Sequence, residues 1–327
     1  MSWHEASSAI SFPGLGIEIN PPEGFSIGPL NIQFYGIIIA VGLLLAVIYG
    51  LKRGAQFGLK EDDILDGVLW IVPFAIICTR AYYCIFSWEE FADNPIRVLY
   101  IWEGGLAIYG GVIGAALGVT VFCLIKKIRL ASVLDLVALG FLIGQSIGRW
   151  GNFFNREAFG VETESFLRMG LMLSESGDTV SQMHYYHPTF LYESLWNITG
   201  FVILHFLSKK RQYDGQIALG YAAWYGLGRT LIEGMRTDSL YWGQFRVSQL
   251  LAAVSCFVAA TVLVILAFHK HDRSKLFVHV AAARATAAEE ATAVTEEIAS
   301  PAEEITPDEE EVALEEEAVP AAEAEQE

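Results

Sequence analysis

"GRWGNFFNREAFG" runs from Gly148 to Gly160 and places two arginines, two asparagines and a glutamate within nine positions, directly after more than a dozen mainly apolar residues. A solvated turn accounts for that polarity. A helix that simply continues accounts for more: Arg149, Asn152 and Arg156 then fall at i, i+3 and i+7, a single stripe along one face. A turn needs solvent around it and a stripe needs neighbouring helices, so the surrounding chain decides.

Those surroundings are oily. Of the 327 residues, 53% are hydrophobic, too many for an ordinary soluble protein of this size. A bilayer core about 30 Å thick is crossed by about 20 mainly apolar residues. Seven windows of that kind are present: Leu30 to Leu51, Ile64 to Phe86, Gly105 to Ile125, Ala131 to Gly148, Pro188 to Leu207, Gln216 to Met235 and Val247 to His269. Of the 21 lysines and arginines, 13 cluster after the first, third, fifth and seventh windows, and residues 1–30 contain none. Because short cytoplasmic loops are the ones enriched in basic residues, this predicts seven spans with the amino terminus outside and the carboxyl terminus in the cytoplasm. The first window lacks a basic leader and a small-residue cleavage site, so it reads as a retained helix in a chain beginning near Met1. The expected architecture is an all-α polytopic membrane protein. It has an extracytoplasmic segment at 1–29, a seven-helix domain at 30–271 with a small extracytoplasmic cap at about 161–186, and an acidic disordered tail at 272–327.

The formal charge of −17 comes from that tail. Residues 285–327 hold 16 acids and no base, which leaves 22 acids against 21 bases elsewhere. A nearly neutral body gives no reason to expect a nucleic-acid partner. The tail has too few large apolar groups to offset its ordering entropy. Cys78, Cys84, Cys123 and Cys256 all fall inside predicted spans, with no disulfide or metal spacing.

Charges at membrane depth are costly, about 2.5 to 3.5 kcal/mol each, so they usually face a cavity and carry function. Arg80 closes "AIICTR", near enough to a helix end to snorkel, and Asp135 opens the fourth window. In "YGLGRTLIEGMR", Arg229 and Glu233 lie four apart on one face, which Arg236 extends by another turn. A cationic face of that kind suits an anionic ligand, and a guanidinium matches phosphate bidentately. Gly140, Gly144 and Gly148, like Gly110, Gly114 and Gly118, form small-residue steps that let helices approach closely. "EGGLAIYGG" around Tyr109 and "HPTFLYES" with His187 and Tyr192 add polar groups to the outer halves of two more helices.

Gly148, Arg149, Asn152, Phe153, Asn155, Glu157 and Gly160 together resemble the signature of the prolipoprotein diacylglyceryl transferase family. The similarity extends over most of residues 30–268, through "FYG" at Phe34 to Gly36, "EGGLAIYGG", "HPTFLYES" and "GRTLIEGMR". The resemblance implies a bacterial plasma-membrane enzyme that moves the diacylglyceryl group of phosphatidylglycerol onto the lipobox cysteine in the signal peptide of a prolipoprotein. Glycerol phosphate is released, and no metal or other cofactor is called for. It also implies roles: Arg149, Arg229, Glu157, Glu233 and Tyr109 as catalytic candidates, with Tyr35, Asn152, Asn155, Gly160, Arg236, Arg80, His187 and Tyr192 holding phosphatidylglycerol, other membrane lipid or the peptide. Tyr109 stands where the family often has a histidine, and a phenol with a pKa of about 10 is a poor base at neutral pH. The proton acceptor is therefore open between Glu157 and Glu233, with His187 less favoured. The rival class is a transporter or channel for an anionic or lipid substrate, but the two halves show no convincing repeat. The last window has no lysine for a retinal-type receptor, and no H-E-x-x-H motif marks a metalloprotease.

Overall fold

The structure, a computed structural model, describes residues 7–28, 30–173, 182–237, 241–243 and 245–299. Residues 174–181 of the expected cap and 300–327 of the expected tail lie outside the described residues. Each of the seven apolar windows is occupied by a helix: α1 (Phe34–Arg53), α2 (Glu61–Phe86), α3 (Ile108–Lys126), α4 (Leu130–Phe154), α5 (Thr189–Ser208), α6 (Gln216–Glu233) and α7 (Val247–Ala267). Six of them are long and apolar enough to cross a membrane. The helix outside that set is α6, which carries Arg229 and Glu233 among its 18 residues. Large apolar side chains such as Leu44, Leu69, Trp70, Ile125 and Phe257 point outward and stay exposed, a surface that lipid accommodates and water does not.

The order of packing is set by small residues and paired indoles. Helices α2 and α3 lie against each other where Gly114 meets Cys78: a methyl group on Gly114 would come within 2.5 Å of Cys78 Cβ. Helix α4 packs on α1, α5 and α6, and α6 on α7. Trp196 on α5 and Trp224 on α6 stack at 4.5 Å, and each indole N–H donates to the other residue's carbonyl at 3.0 Å. The start of α6 is held from outside: Asp135 of α4 accepts the backbone N–H groups of Gly215, Ile217 and Ala218, each at 2.9 Å, satisfying donors that a helix N-terminus leaves unpaired.

Two features correct the expected architecture, the first its all-α class. Strands β1 (Ser7–Phe12), β2 (Ile17–Ile19), β5 (Met169–Leu173) and β6 (Gln182–Tyr186) form an antiparallel sheet ordered β2-β1-β5-β6. Between β2 and α1, strands β3 (Gly24–Ile27) and β4 (Leu30–Gln33) form a hairpin, and β7 (Tyr241–Trp242) pairs with β8 (Phe245–Arg246). Ile10 pairs with Leu171 across the sheet, and both bury against Phe153 and Phe190 at the ends of α4 and α5. Strands β2 and β1 of the amino-terminal segment and β5 and β6 thus form one layer over these two helix ends. The second correction is α8 (Phe277–Ala299), a helix within the stretch expected to be disordered. Alanine and glutamate are strong helix formers even where they bury nothing. Its first amide, Phe277 N–H, is accepted by Asp214 at 2.8 Å. Residues Met1–Ala282 form one compact unit, and a second begins at Ala283.

Candidate active site

Helix α4 does not stop at Gly148. It continues to Phe154, so the polar signature is helical through Asn152 and the turn comes later. Arg149 and Asn152 share a face, and Arg149 Nη1 donates to Asn152 Oδ1 at 3.2 Å. Arg156 departs from the expected stripe. Its φ of 52° takes it out of the helix, and its guanidinium is turned toward Glu23 Oε1 at 3.2 Å and the Pro21 carbonyl at 2.7 Å. This sharp turn, with Ala158 also left-handed at φ 57°, folds the chain back so that Glu157 Oε1 accepts from Asn152 Nδ2 at 2.9 Å and Asn155 Nδ2 at 3.4 Å.

The three arginines converge on a residue that the sequence reading passed over. Glu193, 4% exposed on α5, receives Arg149 Nε at 2.7 Å, Arg229 Nη1 at 3.0 Å and Arg236 Nη1 at 3.5 Å. Glu233, 2% exposed, closes the group through Arg229 Nη2 at 2.5 Å and Arg236 Nε at 3.9 Å. Three guanidinium groups against two carboxylates leave these five side chains one positive charge in excess. Glu193 sits inside "HPTFLYES", where a single carboxylate in an apolar helix was the available signal.

Arg149 and Asn152 also line a cavity of about 580 Å³ between α1, α2, α3 and α4. Its wall is mainly apolar, from Ile39, Leu43, Val68, Ile71 and Val137 among others, with Tyr35, Arg149 and Asn152 gathered toward one end. Tyr35 is placed by Gly151: a methyl group there would come within 2.5 Å of the Tyr35 ring. Gly160 lies at a backbone junction. Its N–H donates to the His187 carbonyl at 2.9 Å, Val161 N–H donates to the Met235 carbonyl at 2.7 Å, and Gly160 bridges Arg236. The ends of α4 and α6 and the start of α5 are thereby tied together. His187 pairs with Tyr192, Nδ1 to hydroxyl at 3.2 Å, beside this junction.

Two expected residues stand apart. Arg80 is buried and donates to the carbonyls of Arg97, Val98, Tyr100, Gly104 and Gly105, so its guanidinium holds the loop between α2 and α3. Its donors are occupied by backbone. Tyr109 is half exposed at the start of α3, with its ring 6.4 Å from that of Tyr82, and is not among the groups gathered on Glu193. Among the described residues no group of histidine, cysteine or carboxylate side chains is arranged to hold a metal ion.

The family model described as prolipoprotein diacylglyceryl transferase matches residues 22–266, which include every helix and loop that builds this site. The chain belongs to that family. Relatives bearing the name phosphatidylglycerol–prolipoprotein diacylglyceryl transferase include one from Listeria monocytogenes, 42% identical over 255 residues, covering 77% of this chain and 91% of its own. One from Limosilactobacillus reuteri is 43% identical over 265 residues, covering 79% and 94%. Another from Lysinibacillus sphaericus is 41% identical over 255 residues, covering 76% and 92%. Family membership and the apolar helices together make this a multi-pass membrane protein and a transferase.

Proposed function

We propose that this protein transfers the diacylglyceryl group of phosphatidylglycerol to the lipobox cysteine of prolipoprotein signal peptides, releasing glycerol phosphate. One observation carries the reading: an apolar cavity that ends at Arg149, where that arginine joins a cluster with one excess positive charge. Acyl chains suit the apolar wall, and the single negative charge of a phosphodiester suits the cluster.

The reaction asks mainly for positioning and charge. The thiol, with an ordinary pKa of about 8.5, loses its proton, and the thiolate attacks the glyceryl carbon that bears the phosphate. A C–S bond forms, the C–O bond breaks, and its electron pair leaves on the phosphate oxygen. Arg149 and Arg229 stabilise the charge that develops there, and Glu193 holds both guanidinium groups in place. Asn152 and Tyr35 bind the head group. Of the two carboxylates, Glu157 is the exposed one, while Glu233 is buried in its pair with Arg229, so Glu157 takes the thiol proton. Tyr109 has no part in that step. Confinement of both substrates to the membrane supplies much of the remaining acceleration.

In this reading all seven apolar helices span the bacterial plasma membrane, with the amino terminus and the strand layer outside and the carboxyl terminus in the cytoplasm. The test is to incubate the purified protein in detergent with phosphatidylglycerol and a lipobox peptide, then weigh the peptide. A diacylglyceryl mass increment is expected, and none on a peptide whose cysteine is replaced by serine. An unmodified cysteine peptide, as a transporter would return, overturns the proposal.

A further inference from the structure

The cavity that ends at Arg149 is deep. Along α4 its lining runs from Asn152 and Arg149 past Gly144 to Val133, and along α1 from Tyr35 to Gly50. From Arg149 down to Val133 the helix descends about 24 Å, at a rise of 1.5 Å per residue. One leaflet is half of a hydrocarbon core about 30 Å thick, so acyl chains lying in it reach about 15 Å. A chain whose head group is held at Arg149 therefore has room for its full length, and its path passes Gly144, about 7.5 Å below.

Three glycines of α4 line this path, and they differ in what a side chain would meet. A methyl group on Gly148 would lie 3.1 Å from Ile39 Cδ1, and one on Gly140 would lie 3.5 Å from Ala46 Cβ, both on α1. On Gly144 it would meet nothing within 4 Å. Close packing of the two helices accounts for the neighbouring glycine of α1: Gly42 is buried outside the cavity lining, and a methyl group there would lie 3.4 Å from Gly144 Cα. Packing thus explains Gly42 and leaves Gly144 to another cause. Its bare backbone keeps the groove wide at the depth where a chain of one leaflet is about half-way along.

We propose that Gly144 sets the acyl-chain length that the groove accepts, its missing side chain being what lets chains of membrane length pass. A bulky side chain at this position points into the open groove and stops a chain about half-way down. An octanoyl chain, half as long as a palmitoyl one, still fits above the obstruction, and the palmitoyl chain does not. This inference rests on the cavity being the phosphatidylglycerol site.

The experiment is a competition. The full-length protein in detergent is given a lipobox peptide with dipalmitoyl and dioctanoyl phosphatidylglycerol together, and mass spectrometry resolves the two peptide products by the chains they carry. Gly144→Leu should shift the product ratio toward the dioctanoyl form by about tenfold or more relative to wild type, the order expected when a filled site is overpacked. Gly144→Ala should shift it the same way by about twofold, its single methyl group being the smallest obstruction. Gly42→Ala, which presses on α4 without entering the groove, should keep the wild-type ratio while lowering the rate with both lipids alike. The ratio is read within one preparation, so a misfolded fraction cancels, and if Gly144→Leu yields no active protein the comparison of Gly144→Ala with Gly42→Ala decides. A ratio unchanged in the Gly144 variants, or shifted as much by Gly42→Ala, overturns the proposal. Absence of transfer from either lipid by wild type is a different result: it removes the functional reading beneath it.

Discussion

At one end of α4, Asp135 is fully buried and gives its carboxylate to three backbone amides of α6. About 21 Å along the same helix, by a rise of 1.5 Å per residue, Arg149 gives its guanidinium to Glu193. Around Asp135, Arg211 stacks on Phe57 at 4.2 Å, and Asp214 accepts from Arg129 at 2.6 Å and from the first amide of α8. Burial pulls the Arg211 pKa below its ordinary value, against the opposing pull of Asp135 and Asp214. Around Glu193 the partners are other charged side chains, and one of them, Arg149, also forms part of a cavity wall. Asp135 and Glu193 are both buried carboxylates, and they differ in what satisfies them. Where backbone groups do so, the charge positions a chain segment. Where side chains do so beside a cavity, it is available to a ligand.

That contrast is open to direct attack. The largest expected effect is on Arg149→Ala: kcat/KM for peptide modification should fall by about a hundredfold or more, the scale for losing one preorganised charge-stabilising donor. The thermal unfolding midpoint should barely move, and a loss of activity below tenfold breaks the comparison. Glu193→Gln comes next, because it leaves three guanidinium groups around a neutral amide. Unpairing a buried charge costs about 3 kcal/mol, so denaturant unfolding should shift clearly while transfer drops by about tenfold. Asp135→Asn should be the mirror image and the mildest. It weakens charge-assisted bonds to the α6 amides and lowers stability by about 2 kcal/mol, while the folded fraction keeps its kcat/KM within about twofold. A large catalytic defect in Asp135→Asn, with stability intact, would erase the distinction between the two ends.

The helices were legible because each apolar window is a local property of the chain. So was the Arg229 and Glu233 pair, which follows from a spacing of four. The site was half legible: Arg149 and Asn152 kept their register because α4 runs on to Phe154, whereas Arg156 lost it at a left-handed residue that no periodicity reveals. Glu193 falls under the same rule as Glu233, a lone carboxylate in an apolar helix. Arg80 was beyond reach, since its partners are carbonyls, which every residue carries alike. The strand layer was hidden for another reason. Pairing Ile10 with Leu171 joins segments some 160 positions apart, and only the assembled helix ends bring them together.

The junction at Gly160 has a practical consequence. Main-chain bonds, alongside the arginine pairs to Glu193, fasten the termini of α4, α5 and α6 to one another. The main-chain share of that frame is separable from the reactive groups, and it stays in place when a guanidinium is deleted. A residue with any side chain at Gly160 would push on the His187 Cβ, 2.7 Å away, and pry the frame itself apart.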